Sequence, residues 1–69
     1  MDAKKLGKRI RLARVEADLT QTELARKMAA KQKSISRYET GDSVPSVETL
    51  VKLAKVLKKP ITYFFDELA

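Results

Sequence analysis

Apolar side chains recur at helical spacing along much of the chain, and polar or charged side chains fill the positions between them. Between residues 4 and 17 the apolar stripe consists of Leu6, Ile10, Ala13 and Ala17. Between residues 46 and 59 a similar stripe consists of Leu50, Leu53, Ala54 and Leu57. Steps of three and four residues place such side chains on one face of an α-helix. The pattern therefore predicts an amphipathic helix in each of these segments, the later one capped by Ser46.

Two shorter helices are predicted between them, in the stretch TQTELARKMAAKQKSISRYETG from residue 20 to residue 41. Thr20 and Glu23 have the spacing of a capping box, which marks the start of a helix. The apolar face of that helix consists of Leu24, Ala25 and Met28. Ile35 and Tyr38 begin a new apolar stripe, so we expect the chain to bend near residues 29–31.

The polar residues of the second short helix share the side opposite its apolar stripe. They are Gln32, Lys33, Ser36 and Arg37. A B-form major groove admits one α-helix, and the base edges there present donors and acceptors that long polar side chains reach. Gln32 has the donor and the acceptor needed to read adenine, whereas Lys33 and Arg37 can donate to O6 and N7 of guanine. Ser36 is a candidate contact to a base or to the backbone.

Length and charge favour a single domain with a polyanionic partner. The 69 residues leave no room for a second core, so we expect one domain, residues 1–69. The net charge is +6, and residues 1–19 and 20–39 each carry an excess of three positive charges, whereas residues 40–69 are balanced. This uneven distribution favours nucleic acid. The alternative is a lysine-rich solvated surface without a specific partner.

Histidine and cysteine are missing from the sequence, and this narrows the chemistry. The commonest general base is missing, and so are disulfides and thiolate metal sites. We therefore expect no enzymatic activity, no metal site and no cofactor. No apolar run approaches the ~20 residues of a membrane span, and the N-terminus has no signal-peptide pattern. The expected location is the cytoplasm.

Three motifs make the sequence similar to a known family. TQTELARKM, KSISRYETG and VPSVETLVKLAKVL, at these separations, resemble the helix-turn-helix domain of the phage lambda repressor and Cro class, also called the XRE family. The resemblance extends from about Leu6 to Phe65. It implies an all-α fold, a compact five-helix lambda-repressor-like domain whose third helix enters the major groove of DNA.

The resemblance also implies roles for individual residues. The positions that match the base contacts of the family are Lys31, Gln32, Lys33 and Arg37, with Ser36 on the same face. Gln21 and Ser34 match positions that bind backbone phosphates. Arg14 matches an arginine that pairs with a glutamate, here Glu39, and its guanidinium would lie near a phosphate. The alternatives are a solvated Gln21, a Ser34 hydroxyl folded back onto its own helix, and an exposed Arg14.

Three residues depart from the usual pattern of this family. Asp18 and Ala29 stand where a residue with left-handed backbone is usual, and such a conformation costs on the order of 1 kcal/mol at Ala29. Lys31 replaces the serine or threonine that caps the third helix, and a missing cap costs a similar amount. The start of that helix is therefore free to shift by one residue.

The C-terminal segment is predicted to form a short fifth helix after Pro60. Ile61 and Phe64 lie one turn apart and are expected to point into the core. The remaining large apolar residues, Tyr63, Phe65 and Leu68, are unusually apolar for a free tail. They form the candidate surface of a homodimer, and the alternative is that they cap the core.

The resemblance and the polar helix face together predict a sequence-specific regulator of transcription that binds double-stranded DNA. The expected form is a dimeric repressor on a palindromic operator, since one small domain makes few contacts. An antitoxin-type regulator belongs to the same class. A different class remains open, namely a protein-interaction or coactivator bridging module that has the same fold and does not read bases.

Overall fold

A computed structural model describes residues 2–65 of the chain, and these residues form four α-helices followed by one 3-10 helix. The helices are α1 (Ala3–Glu16), α2 (Gln21–Lys27), α3 (Gln32–Thr40) and α4 (Val47–Leu57), and the 3-10 helix is Ile61–Phe65. The all-α architecture predicted from the sequence is confirmed, and the predicted fifth helix is a single 3-10 helix of five residues. No helix within residues 2–65 is long and apolar enough to cross a membrane.

Side-chain caps define the starts of three helices. Thr20 Oγ1 accepts the Glu23 N–H at 3.0 Å, and Glu23 Oε1 accepts the Thr20 N–H at 2.8 Å, so the predicted capping box is confirmed. The N–H donated by Thr20 lowers the pKa of the Glu23 carboxyl. Ser46 caps α4 as predicted, and Asp2 caps α1 by accepting two backbone N–H groups.

One hydrophobic core joins the four helices to the 3-10 helix. Its buried residues are Leu6, Ile10, Ala13, Leu24, Ala25, Met28, Ile35, Leu50, Leu53, Ala54, Leu57 and Phe64. The predicted stripes are therefore confirmed, with two corrections. Ala17 is exposed because α1 ends at Glu16 and the chain turns away from the core there. Ile61 is 39% exposed, because it begins the 3-10 helix at the edge of the core, directly after the exposed Pro60, whereas Phe64 one turn later is buried.

Left-handed backbone occurs at the end of each α-helix. Asp18 has φ 58° and Ala29 has φ 53°, which confirms the conformation expected at both positions. Gly41 ends α3 with φ 87°. Lys58 ends α4 with φ 57°, a turn that its sequence did not indicate. Lys31 is the N-cap of α3 and makes no side-chain capping bond, so the cap is missing as expected, but the helix start has not shifted.

The crossing of α1 over α3 depends on a glycine. A Cβ atom built on Gly7 would lie 2.5 Å from the carbonyl oxygens of both Tyr38 and Glu39. No real Cβ atom tolerates that distance, so the two backbones approach as closely as they do because residue 7 has no side chain. This close approach brings the end of α3 within reach of Arg14 on α1.

Candidate nucleic-acid interface

The third α-helix has one buried side and one exposed side. Ile35 is fully buried and Tyr38 is half-buried against the core. The exposed residues are Lys31, Gln32, Lys33 and Arg37, and the partly exposed ones are Ser34 and Ser36. The predicted base-contacting set therefore projects from one surface of the protein. An amide, two lysines and a guanidinium on one helix face are suitable donors for base edges in a major groove.

A bidentate ion pair joins α1 to the end of α3 beneath this surface. Arg14 Nε donates to Glu39 Oε2 at 2.6 Å, and Arg14 Nη2 donates to Glu39 Oε1 at 3.1 Å. The Glu39 side chain is 3% exposed and the Arg14 side chain 13% exposed. Arg14 Nη1 also donates to the carbonyl of Leu19 at 2.7 Å. The pairing implied by the resemblance is therefore present, and it fixes α1, the α1–α2 connection and α3 relative to one another.

Gln21 connects this ion pair to the exposed face of α3. Its Nε2 donates to Glu39 Oε1 at 3.0 Å. Its Oε1 accepts from Gln32 Nε2 at 2.6 Å. A continuous chain of hydrogen bonds thus runs from Arg14 through Glu39 and Gln21 to Gln32. Sequence reasoning missed this chain because Gln21 and Gln32 lie on different helices, and no spacing within one helix indicates a contact between them.

Two of the three residues predicted to bind phosphate, Arg14 and Gln21, have other partners within the protein. Three of the five N–H donors of Arg14 are used internally, which leaves two for a phosphate. Gln21 Nε2 retains one N–H beyond the one given to Glu39. Ser34 is partly exposed early in α3. The phosphate contacts of all three residues stay predictions.

A lysine from α4 holds the turn between α2 and α3. Lys52 Nζ donates to the carbonyl oxygen of Met28 at 3.0 Å. Met28 is the C-cap that follows α2 in helical conformation, and the last carbonyls of a helix have no partner within it. The cation also suits the negative end of the helix. The sequence gave no indication of this contact, because residues 28 and 52 lie on helices whose relative placement no local pattern encodes.

Two C-terminal aromatic residues of the predicted dimer surface differ in burial: Tyr63 is half-buried and Phe65 is exposed. The Tyr63 ring lies between two cations, with Arg9 Cζ at 5.0 Å and Lys59 Nζ at 4.7 Å from its centroid. Phe65 is 46% exposed. Tyr63 is half-buried against the core, which agrees with the alternative that it caps the core. Leu68, the third member of the predicted dimer surface, lies outside the described residues.

The helix-turn-helix family HTH_3 matches residues 10–64. An uncharacterized transcriptional regulator in the ATPase CF(0) region of Rhodospirillum rubrum is 38% identical over 63 residues, covering 91% of this chain and 58% of that protein. Multiprotein-bridging factor 1 of Candida albicans is 44% identical over 52 residues, covering 75% of this chain and 34% of that protein.

A solved structure resembles the fold over nearly the whole chain. It is the crystal structure of Bacillus thuringiensis PlcR in complex with the peptide PapR7 and DNA, with a TM-score of 0.84 and 38% identity. The similarity covers 96% of this chain and 23% of that one. This chain thus spans between about a fifth and three fifths of the length of these three proteins.

Proposed function

Because the chain belongs to the HTH_3 helix-turn-helix family, we propose that it is a transcriptional regulator that binds double-stranded DNA and reads its sequence with α3. The observation that carries this proposal is the two-sided character of α3. Ile35 and Glu39 are buried, whereas Gln32, Lys33 and Arg37 are exposed on one surface. The family is a non-enzymatic class of transcription regulators, which confirms the expectation that the chain is not an enzyme.

Each residue on the exposed face of α3 has a chemical role in this proposal. Gln32 reads adenine through its amide, and Lys33 and Arg37 donate to guanine. Lys31, at the start of α3, would make a further base contact, and Ser36 would contact a base or the adjacent backbone. The similarity to a protein solved in complex with DNA supports this use of the surface.

Phosphate contacts orient the domain on the duplex. Gln21, which is hydrogen-bonded to Gln32 at the start of α3, keeps one unused N–H donor, and Ser34 has a hydroxyl early in the same helix. Arg14, which is 13% exposed, keeps two unused N–H donors. Bonds from these residues to backbone oxygens would fix the angle at which α3 enters the groove. They would add affinity without adding base preference.

The regulator acts as a dimeric repressor in this proposal. Two copies would present their α3 helices about 34 Å apart, one turn of B-form DNA, on a palindromic operator. Occupation of the operator then excludes other proteins from the promoter. The dimer surface is placed at the C-terminal end, where Phe65 is exposed together with Ile61 and where Tyr63 and Leu68 were predicted to contribute.

A second candidate function is a bridging module that contacts other proteins without reading bases. The similarity to the Candida albicans bridging factor favours it. The two candidates differ in their behaviour toward DNA, because binding without base contacts is uniform among sequences and steeply dependent on salt. An antitoxin-type regulator would read bases and, in addition, bind a partner protein.

Selection of bound duplexes from a random pool tests the proposal. A regulator of the proposed kind enriches a palindromic consensus with two half-sites separated by one helical turn. If no consensus is enriched and all duplexes bind equally, with a steep dependence on salt, base reading is contradicted and the bridging module is favoured. Light scattering at micromolar concentration on the wild type and on Phe65→Asp tests the dimer: a monomer in both would rule it out.

A further inference from the structure

A cleft of about 550 Å³ lies where the turn between α2 and α3 meets α3 and the first half of α4. Its volume falls within the range of protein sites for small molecules. We propose that this cleft binds a small carboxylate with an apolar body, and that the bound carboxylate weakens the binding of DNA. The binding of the carboxylate is independent of the proposed function, whereas its effect on DNA rests on that function.

The charged groups of the cleft are all positive. Lys31 and Lys52 line it, and none of its lining residues is an aspartate or a glutamate. Lys52 donates one of its three N–H groups to the carbonyl oxygen of Met28, at 3.0 Å, and keeps two for a ligand. Lys31 makes no side-chain hydrogen bond or ion pair with residues 2–65. An anion in the cleft is therefore attracted by two cations and repelled by no carboxylate of its walls.

Three hydroxyl groups supply further donors around the same space. Ser34, Tyr38 and Thr49 line the cleft. The hydroxyls of Ser34 and Tyr38 have no hydrogen-bond partner in the part of the chain that the structure describes. The Thr49 hydroxyl accepts from Ser46 and keeps its own proton. Hydrogen bonds from such groups to an ionised acceptor are stronger than those between neutral groups, so the walls are suited to a carboxylate.

The apolar residues of the cleft show that its ligand is more than a bare anion. Met28 and Ile35 line it and are only 5% and 0% exposed, so the cleft reaches down to the hydrophobic core. Ala29 and Ala30 add two small apolar side chains from the turn. An inorganic anion would leave these groups in contact with water, whereas an aromatic ring or a short branched chain would cover them. The chemistry of the cleft therefore favours an organic acid.

The cleft shares two residues with the proposed DNA-binding surface. Lys31 is a proposed base contact and Ser34 a proposed phosphate contact, and both line the cleft. A carboxylate that binds them removes two donors from the duplex and adds a negative charge beside its backbone. It also competes with the Met28 carbonyl for Lys52, the residue that holds the turn before α3. Carboxylate and DNA should therefore each lower the affinity of the protein for the other by the same factor.

Benzoate is the probe for the first test, and benzamide, which has the same shape without the charge, is its control. We expect benzoate to give saturable changes in the NMR amide shifts of residues 28–31, 34, 38, 49 and 52. Benzamide and inorganic phosphate should each bind at least about tenfold more weakly, because one lacks the charge and the other lacks the apolar body. If either of them binds as well as benzoate, or if benzoate gives no saturable change at these residues, the inference is wrong.

Three variants locate the site. Lys52→Met keeps the length of the side chain and removes the ammonium, and it should weaken benzoate by about tenfold or more. Tyr38→Phe removes only a hydroxyl and should weaken benzoate by about threefold or more. Since Lys52→Met also removes the bond to Met28, its circular dichroism is compared with that of the wild type, and Tyr38→Phe decides the question if it fails to fold. Lys55→Met, at an exposed position of α4 outside the cleft, is the matched control and keeps the wild-type affinity.

The second test measures the affinity for the selected duplex with and without saturating benzoate. We expect benzoate to lower it by about fivefold or more in the wild type and in Lys55→Met, and benzamide to leave it unchanged. If benzoate saturates the cleft and the duplex binds as before, the proposed antagonism is wrong and the proposed function stands. If benzoate binds in the cleft but no duplex is selected over others, the proposed function fails and the carboxylate site remains.

Discussion

Gly7 of α1 lies directly against the backbone of Glu39: a Cβ atom at residue 7 would approach the Glu39 carbonyl oxygen to 2.5 Å. The glycine thus sets the distance between α1 and α3, and this distance is what allows Arg14 on α1 to reach the Glu39 side chain. The arrangement of the candidate nucleic-acid interface therefore depends on a residue that has no side chain and does not belong to that surface.

Gly7→Ala is expected to destabilise the protein by about 1 to 3 kcal/mol, the usual cost of overpacking a core contact. In most helices the same change is stabilising, because alanine has the higher helix propensity. The free energy of unfolding in urea measures the effect. A more stable Gly7→Ala variant would show that α1 can move away from α3 without loss.

Arg14 and Glu39 are expected to be energetically coupled. Removal of one partner leaves the other charge buried without compensation, which typically costs about 3 kcal/mol or more. We therefore expect Arg14→Ala and Glu39→Ala each to be strongly destabilising. The double variant should cost less than the sum of the two, with a coupling energy above about 1 kcal/mol. Urea unfolding of the four proteins measures this cycle, and additive effects would refute the coupling.

Ala29→Gly is expected to stabilise the turn between α2 and α3. Ala29 has φ 53°, a conformation that costs a non-glycine residue on the order of 1 kcal/mol and costs glycine almost nothing. The greater freedom of glycine in the unfolded chain offsets part of the gain, so we expect a net increase of about 0.5 kcal/mol in the free energy of unfolding. Ala30→Gly, at a position without positive φ, is the control and should be destabilising.

The capping box of α2 is expected to make stability depend on pH. The backbone N–H of Thr20 lowers the pKa of Glu23 in the folded protein. Folding therefore favours the ionised form of Glu23. The stabilisation that this gives is fully present above the pKa of Glu23 in the unfolded chain, and it is lost as the pH falls through the lower pKa of the folded protein. Glu23→Gln keeps an acceptor at this position and does not titrate.

The measurement that checks this is the difference in urea midpoint between the wild type and Glu23→Gln, from pH 7 down to pH 3. The wild type should be the more stable protein at pH 7, and the difference should shrink as the pH falls. A difference that is constant across this range would contradict a pKa shift at Glu23. Glu48→Gln, in the first turn of α4, reports the pH response of a carboxylate outside a capping box.

Local signals predicted the helices well because their causes lie within a few residues of one another. The capping box of Thr20 and Glu23 and the cap by Ser46 satisfy backbone groups three residues away, so the sequence alone indicated them. The apolar stripes followed from helical spacing in the same manner. The positive φ of Ala29 was predictable from the family resemblance, whose turn usually has a glycine there.

Contacts between helices were less predictable, since they depend on how the helices cross. The bonds of Gln21 to Glu39 and to Gln32 required coordinates. A glycine inside the first predicted helix, Gly7, was the signal in the sequence that could have indicated a close helix crossing. The exposure of Ile61 was missed because a spacing of one turn places two side chains on the same face and does not indicate how far the core extends along that face.

The hydrogen bond from Lys52 to the carbonyl of Met28 connects α4 to the turn between α2 and α3, so these two helices do not keep their geometry as an isolated segment. The bend between α2 and α3 is stabilised by a residue that follows it by more than twenty positions. A synthetic peptide that contains residues 20–41 alone lacks this brace and the packing of α1, and it should therefore lose the fixed angle between its two helices. The proposed DNA-reading element is in this sense a property of the assembled bundle. To keep its geometry on another scaffold, a design would also have to include α1 and Lys52.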